Sequence, residues 1–157
     1  MSRPIAPADL DALLALNNAH AAETGLLNRE RFKRMAGSAF CARTNGDRQA
    51  LLIAFEQSAP YDSPNFHWFR DRYPHFVYID RIIVANPARG TGLARALYSD
   101  LFAQARTAGH SMIACEVNFL PPNPGSDAFH AALGFTEAGR GSPSPDKKVR
   151  YLTKPLS

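Results

Sequence analysis

A glycine-rich stretch between two apolar runs constrains the fold of this chain more than any other feature. Its sequence, Arg-Gly-Thr-Gly-Leu-Ala, occupies positions 89–94, after the apolar run 76–84 and before an alanine- and leucine-rich segment that extends to about position 108. This order predicts a strand, a tight turn and a helix. Glycine tolerates positive φ, and the unpaired N–H groups at a helix start favour phosphate. The stretch therefore predicts a turn that binds phosphate or pyrophosphate.

Two common glycine-loop motifs do not fit this stretch. A dinucleotide-binding fingerprint requires a third glycine where Arg95 stands, and Cys115 occupies the later position at which an acidic residue is expected. A P-loop requires Gly-Lys followed by Ser or Thr, which the sequence lacks. Taken alone, the stretch is also compatible with a tight turn that binds no ligand.

A second segment, at positions 123–135, has the features of a short helix. Asn123 is suited to cap it and Pro124 to occupy its first position. Phe129 and Leu133 are four residues apart and share one face. Gly134 is suited to end the helix.

Together the two segments resemble the GNAT superfamily of acyl-CoA-dependent N-acetyltransferases. The first resembles the family's pyrophosphate loop, Arg/Gln-x-x-Gly-x-Gly/Ala, and the second resembles its later helix, which starts at an Asn and ends in Gly-Phe. Order and spacing agree over positions 76–135. Two features depart from the family pattern. His130 stands where the family often has Tyr, and the link at 118–122 is longer than usual.

The resemblance implies an α/β (α+β) fold with a mixed, mostly antiparallel central sheet of six to seven strands flanked by about four helices. Because the chain has 157 residues, 45% of them hydrophobic and 20% charged, we expect a single domain over 1–157. No apolar run has transmembrane length and the N-terminus has no signal-peptide pattern, so we expect a cytoplasmic protein without membrane contact.

Residue patterns add further elements. The predicted strands lie at 3–5, 39–44, 49–56, 111–118, 135–140 and 148–156, and the predicted additional helices at 10–17 and 28–35. Asn45 and Gly46 are expected to supply the positive φ angles of a hairpin turn. Positions 57–74 read as a long aromatic loop that either borders the acceptor site or packs on the domain or a partner subunit. Positions 141–146 read as a mobile loop.

The resemblance also implies acetyl-CoA as the acyl donor, with its pantetheine arm beside the fourth strand and its pyrophosphate on the glycine turn. The residues expected to bind it are Ile82, Ile83, Val84, Arg89, Gly90, Thr91, Gly92, Leu93, Ala94, Arg95, Asn123, Phe129 and His130. The side chains of Arg89 and Arg95 either add charge at this site or are solvated. Asn123 either contacts the cofactor, caps its helix, or does both.

An acceptor amine must lose a proton before it attacks a thioester, because alkylammonium groups have a pKa near ~10. Asp80 is the first candidate base. A regular strand would place it on the same face as Tyr78, Ile82 and Val84, and the alternative role is an ion pair with Arg81.

Two more residues are candidates for proton transfer. Glu116 on the neighbouring strand is the second candidate base, with a structural salt bridge as the alternative. His130 is the candidate proton donor to the departing thiolate, because imidazole titrates near neutral pH. Its alternative is simple packing.

The sequence thus predicts an acetyl-CoA-dependent N-acetyltransferase that acts directly on a primary amine of a small molecule or peptide. A non-catalytic acyl-CoA-binding or sensor domain, and an interaction domain without a cofactor, remain alternatives. No metal is expected, and Cys41 and Cys115 read as buried hydrophobic residues. The net charge is +4 and most basic residues are scattered, so nucleic-acid binding is not expected. A homodimer is possible.

Overall fold

A seven-stranded mixed sheet forms the centre of the computed structural model, which describes residues 2–157. The strands are β1 (Ser2–Pro4), β2 (Cys41–Asn45), β3 (Ala50–Glu56), β4 (Val77–Val84), β5 (Met112–Leu120), β6 (Thr136–Ser144) and β7 (Lys147–Pro155). The helices are α1 (Leu10–Ala19), α2 (Ala21–Thr24), α3 (Arg29–Ser38), α4 (Pro64–Arg70), α5 (Leu93–Thr107) and α6 (Pro124–Ala132).

The strand order is β1-β2-β3-β4-β5-β7-β6, and β4–β5 is the parallel pair in an otherwise antiparallel sheet. This architecture confirms the predicted fold class, with two short helices, α2 and α4, beyond the expected four. In the described residues 2–157, no helix is both long and apolar enough to cross a membrane.

Helices cover both faces of the sheet and create two hydrophobic cores. Leu51, Ile53 and Phe55 of β3 point into the core beneath α1, α3 and α4. Leu52 and Ala54 point into the core beneath α5. Because successive strand residues face opposite sides, a strand covered on both faces is apolar throughout. All of β3 before its last residue is accordingly buried.

The segment 57–74 corrects the prediction of a loop without regular structure. It contains α4, whose first residue is Pro64 and whose N-cap Ser63 accepts a hydrogen bond from the Phe66 N–H. Serine followed by proline is a common helix start. The density of prolines and aromatic residues had concealed this signal.

The aromatic side chains of α4 belong to the core of the domain. Phe66 and Phe69 are fully buried. They pack at centroid distances of 5.7 to 6.1 Å from Phe76 and Tyr78. The segment is therefore an integral layer of the fold on the face that carries α1 and α3.

Two turn predictions were also wrong. The positive φ in the β2–β3 hairpin belongs to Arg48, at 54°, rather than to Asn45 or Gly46. The Asn45 side chain accepts the Gln49 N–H at 2.7 Å and so stabilises a longer turn. The segment 141–146 is mostly strand and not a loop, because β6 extends to Ser144. A two-residue turn at 145–146 then leads to β7.

Glycines let β6 approach two aromatic rings. A Cβ atom at Gly139 would lie 2.5 Å from the Trp68 ring, and one at Gly141 would lie 2.7 Å from the Tyr151 ring. The Trp68 and Tyr151 rings stack with centroids 4.2 Å apart. This stack fixes the β6–β7 hairpin against α4.

Phe66→Ala tests whether α4 is part of the core. We expect the free energy of unfolding to fall by about 3–5 kcal/mol, because the truncation leaves a cavity around a fully buried position. Urea denaturation measures this change. Leu26→Ala is the control, since Leu26 is 75% exposed and its loss should cost at most about 0.5 kcal/mol. Equal effects of the two substitutions would contradict the packing described for α4.

Candidate functional site

The parallel strands β4 and β5 separate soon after they meet. They pair through Val77 with Ile113 and Tyr78 with Ala114, and no further partners follow among the described residues. Beyond that point β3 still pairs with β4, and β7 still pairs with β5. A cleft therefore opens in the middle of the sheet, with strand edges as its walls.

A β-bulge in β4 lies at the start of this cleft. Arg81 pairs with Ile53 and Ile79 pairs with Ala54, so Asp80 is the extra residue. The bulge reverses the alternation of side chains. Asp80 stays on the face of Tyr78, but the prediction that it shares this face with Ile82 and Val84 is wrong, because those two side chains pack against the α5 core.

The hydrogen-bond alternation of β4 determines which backbone groups face the cleft. The Ala85 N–H donates to the Gln49 carbonyl at 2.7 Å. Residues two apart in an antiparallel pair share the same direction, so Ile83 also turns its N–H and C=O toward β3. Ile82 and Val84 turn theirs toward the cleft. Ile82, Ile83 and Val84 were predicted to contact the donor through their backbone. Of these, Ile83 turns its backbone groups away from the cleft and toward β3.

The glycine stretch has the geometry of an anion-binding turn. Gly90 and Gly92 have φ of 80° and 84°, and Gly92 is the N-cap of the fifteen-residue α5. Within residues 2–157, the N–H groups at positions 90–95, which are those of Gly90, Thr91, Gly92, Leu93, Ala94 and Arg95, donate to no protein acceptor outside α5. The Thr91 hydroxyl donates to the Ala88 carbonyl at 2.5 Å and closes the turn.

A recess of about 330 Å³ lies over this turn. Val84 lines it on the β4 side, Phe129 on the α6 side, and Arg89 and Arg95 at its rim. Both arginines are exposed. The recess therefore joins unpaired N–H groups to two cations and to the open edge of β4, which suits a phosphorylated ligand with an extended arm.

The cleft passes through the sheet and has two ends. The end nearer α5 and α6 is lined by Ile82, Tyr98, Cys115, Val117, Asn123, Ser126 and His130. The end nearer α4 and the β6–β7 hairpin is lined by Tyr61, Ser63, Asn65, Tyr78, Pro143, Lys147 and Val149. Both ends share Glu23, Thr24, Asp80, Arg81, Glu116 and Asn118. The shared acidic residues place carboxyl groups at the narrow point between the two ends.

Glu116 has the electrostatic environment of a general base. Its Oε1 accepts the Tyr78 hydroxyl at 2.5 Å. Removal from bulk water raises the pKa of Glu116 to about 8, although the Tyr78 hydrogen bond opposes this shift, and the nearby Asp80 charge adds to it. A carboxyl group with a pKa this close to neutrality releases and accepts protons at physiological pH.

Asp80 has both carboxylate oxygens engaged. Oδ1 accepts the Tyr61 hydroxyl at 2.5 Å and Oδ2 accepts the Arg81 Nε at 2.7 Å. The side chains of Asp80 and Arg81 are each only 6% exposed. Arg81 also donates to the Asn17 Oδ1 at 2.6 Å, and the Asn17 amide donates to the Gly25 carbonyl at 3.0 Å. The alternative of an Asp80–Arg81 ion pair is what the structure contains.

His130 is not positioned as a free proton donor. Its Nδ1 lies 2.8 Å from the Ser126 carbonyl, which only accepts, so Nδ1 carries the hydrogen. Its Nε2 lies 2.8 Å from the Tyr98 hydroxyl and accepts from it. The side chain is buried, and burial lowers the pKa of His130. A neutral imidazole with both nitrogens engaged holds Tyr98 in place.

Asn123 and Phe129 line two neighbouring cavities. Asn123 caps α6 by accepting the Ser126 N–H at 3.3 Å, and it also lines the cleft. Phe129 meets the Tyr98 ring edge-on at 5.2 Å and lines the recess over the glycine turn. The capping and lining roles of Asn123 are thus compatible.

Sequence reasoning missed several cleft residues. Tyr98 lies in the alanine- and leucine-rich segment that forms α5, and a buried tyrosine requires a partner for its hydroxyl. Tyr61 comes from a segment predicted to be a loop, Lys147 lies between the predicted loop 141–146 and the predicted strand 148–156, and Glu23 lies in the unpredicted α2. Within the described chain, no group of three His, Cys, Asp or Glu residues is arranged to hold a metal ion, and Cys41 and Cys115 are buried free thiols.

Three solved structures share this fold. The ribosomal-protein-S18-alanine N-acetyltransferase from Escherichia coli has a TM-score of 0.74 and 20% identity, covering 100% of this chain and 94% of that chain. The ribosomal-protein-alanine N-acetyltransferase from Brucella melitensis has a TM-score of 0.73 and 22% identity, covering 99% of this chain and 99% of that chain. The protein yncA from Salmonella typhimurium was solved with its cofactor acetyl-CoA. It has a TM-score of 0.73 and 17% identity, covering 100% of this chain and 94% of that chain.

Sequence comparison identifies the family directly. Curated proteins gave no significant match. Residues 11–135 match the model of the acetyltransferase (GNAT) family, and this range contains the glycine turn, both cleft strands and α6. The chain therefore belongs to the GNAT family, as its motifs predicted, and is an acetyl-CoA-dependent N-acetyltransferase.

Proposed function

We propose that the enzyme transfers an acetyl group from acetyl-CoA directly to a primary amine of a small molecule or peptide. One observation carries this proposal. The open edge of β4 leads from the unpaired N–H groups of the glycine turn to the half-buried carboxyl group of Glu116. A donor bound along that edge and an amine beside Glu116 would meet at the narrow point of the cleft.

The chain's own groups suit the donor's successive parts. The N–H groups at positions 90–95, together with Arg89 and Arg95, match a pyrophosphate. The free N–H and C=O groups of Ile82 and Val84 match the amides of an extended pantetheine arm, which would pair with β4 as an added strand does. Asn123 and Phe129 would border this arm.

Glu116 is the proposed general base, in place of Asp80. Its ionised form would accept a proton from the acceptor ammonium, directly or through water. The freed amine nitrogen would then bond to the thioester carbonyl carbon, and the Ile82 or Val84 N–H would stabilise the negative charge that develops on oxygen. The carbon–sulfur bond breaks as the amide forms, and a proton from the amine nitrogen reaches the thiolate.

His130 has a supporting role in this proposal. Because its Nε2 accepts the Tyr98 hydroxyl, it fixes the phenol at the donor's end of the cleft and completes a dry wall there. A screen of amines for release of free coenzyme A tests transfer as a whole. Donor binding without release for any amine would favour the acyl-CoA sensor instead. A homodimer and a cytoplasmic location stay predictions.

Gly92→Val tests the donor site. A β-branched residue strains a backbone with φ of 84° and adds bulk beside the unpaired N–H groups. We expect the Kd for coenzyme A to rise at least about tenfold, a loss of ~1.4 kcal/mol. Titration calorimetry measures the Kd. The change in melting temperature on adding millimolar acetyl-CoA should shrink in parallel.

Gly109→Val is the matched control for this variant. Gly109 follows the other end of α5, has a φ of 87°, and has equally open surroundings. The substitution imposes the same backbone strain far from the recess, so stability should fall while coenzyme A affinity stays normal. If both variants bound coenzyme A normally, the glycine turn would not be the pyrophosphate site.

Glu116→Gln tests the base. With a Glu116 pKa of about 8, kcat/KM should rise with pH through that value in the wild type, because only the ionised carboxylate accepts a proton. The variant should lose this rise, and its kcat/KM should be roughly 100- to 10,000-fold lower. Steady-state rates between pH 6 and 9.5 measure both effects.

Asp80→Asn separates base catalysis from positioning. It removes a charge at a similar position but keeps the Glu116 carboxyl group, so a rise of kcat/KM with pH should persist while KM for the amine increases. The rise should move below pH 8, because the Asp80 charge no longer raises the pKa of Glu116. A profile that flattens in Asp80→Asn and survives in Glu116→Gln would return the role of base to Asp80.

A further inference from the structure

The end of the cleft that faces α4 and the β6–β7 hairpin, here called the acceptor end, has a carboxyl group at one limit and an ammonium group at the other. Glu116 lies at its inner limit, where the two ends join. Lys147 lines the acceptor end and does not line the other end of the cleft. Lys147 is half-buried, and no carboxylate of the described residues lies within ion-pair distance of its amine.

Strand register determines the separation of these two charges. Glu116 pairs with Tyr151 of β7, and Lys147 is four residues from Tyr151 on the same strand. Residues an even number apart share a face, and Val149 and Tyr151 both point into the core beneath α4. Lys147 thus stands on the face of Glu116, roughly 13 Å along the strand at ~3.3 Å per residue. The Lys147 ammonium still acts on Glu116 through space, because its positive charge lowers the pKa of that carboxyl group.

The other charged residues of the acceptor end leave this polarity intact. Asp80 and Arg81 neutralise each other in a buried pair. Glu23 is exposed and lines both ends of the cleft, so it adds negative charge near Glu116 rather than near Lys147 alone. A ligand in this cavity would therefore contact the Lys147 ammonium toward the hairpin and the Glu116 carboxyl group where the two ends join.

The size of the cavity limits the ligand. The acceptor end encloses about 200 Å³, which is below the ~300–1,000 Å³ of pockets for drug-sized molecules. Its anion-binding group is a single ammonium. Phosphate is commonly bound by a row of backbone N–H groups at a helix start, as on the glycine turn. The acceptor end offers a single ammonium instead, which balances the single charge of a carboxylate.

We propose that the acceptor is a compact amino acid whose primary amine and carboxylate are several bonds apart, and that Lys147 selects it by binding the carboxylate. This inference rests on the proposed function, because the amine must reach Glu116. A peptide amine without a nearby acidic group would leave Lys147 without its partner.

A series of amines tests this inference on the whole enzyme. Glycine, 3-aminopropanoate, 4-aminobutanoate and 5-aminopentanoate are compared with alkylamines of the same chain length. We expect one of the longer amino acids to exceed its matched alkylamine at least about tenfold in kcat/KM, a difference of ~1.4 kcal/mol. The gain should appear mainly in KM, because Lys147 does not touch the reacting atoms.

Lys147→Glu should invert this preference. The introduced carboxylate repels amino acids and attracts a second ammonium, so 1,4-diaminobutane should become the better substrate. Lys148→Glu is the control, because Lys148 is the adjacent residue, is exposed, and does not line the cleft. It changes the net charge equally and should leave the preference unchanged. If Lys147→Glu does not fold, Lys147→Gln should abolish the preference.

Other results would overturn the inference. These are equal kcat/KM for amino acids and alkylamines, a Lys147 variant with wild-type preference, or transfer to no member of the series. In the last case, stabilisation by acetyl-CoA together with transfer to a peptide amine would leave the proposed function standing. Loss of both would remove the proposed function as well.

Discussion

The buried ion pair between Asp80 and Arg81 holds together the parts of the molecule that surround the cleft. It lies in the β4 bulge, where pairing with β5 has ended and β3 is the strand that still pairs with β4. Tyr61 joins it from the segment before α4, and Asn17 joins it from α1. Removing one member of such a pair typically costs about 3–5 kcal/mol, because the other charge stays buried. Here the same loss would also detach Tyr61 and Asn17 from β4.

Local signals made the donor side predictable. The glycines at 90 and 92, the cap at Asn123 and the stripe of α5 each act within a few residues, so strand, turn and helix follow from the sequence. The acceptor side depends on contacts between distant segments. The bulge at Asp80 follows from its pairing with β3, and the raised pKa of Glu116 follows from burial beside Tyr78. Neither can be read from the residues around it.

The distribution of the two sides along the chain has a consequence for relatives of this enzyme. β4, the glycine turn, α5 and α6 form the donor side and fall within the segment that matches the family model. The acceptor end also draws on α2, the segment before α4, and the β6–β7 hairpin. The last of these lies beyond the matched residues. Solved structures with about 20% identity share the frame, whereas under the proposed function the acceptor would also meet a hairpin that the family model does not cover.

The absence of side chains at Gly139 and Gly141 lets β6 pack closely on the Trp68–Tyr151 stack, and this packing affects the width of the entrance to the acceptor end. Trp68 and Tyr151 lie as flat plates against these glycines, and Asn65 of α4 accepts the Tyr151 hydroxyl at 2.9 Å. The β6–β7 hairpin, which carries Pro143 and Lys147, is thus held in place by its packing on α4. A Cβ atom at either glycine would force the hairpin or the neighbouring ring to move. The width of the entrance therefore depends on glycines and rings that do not themselves line the cleft.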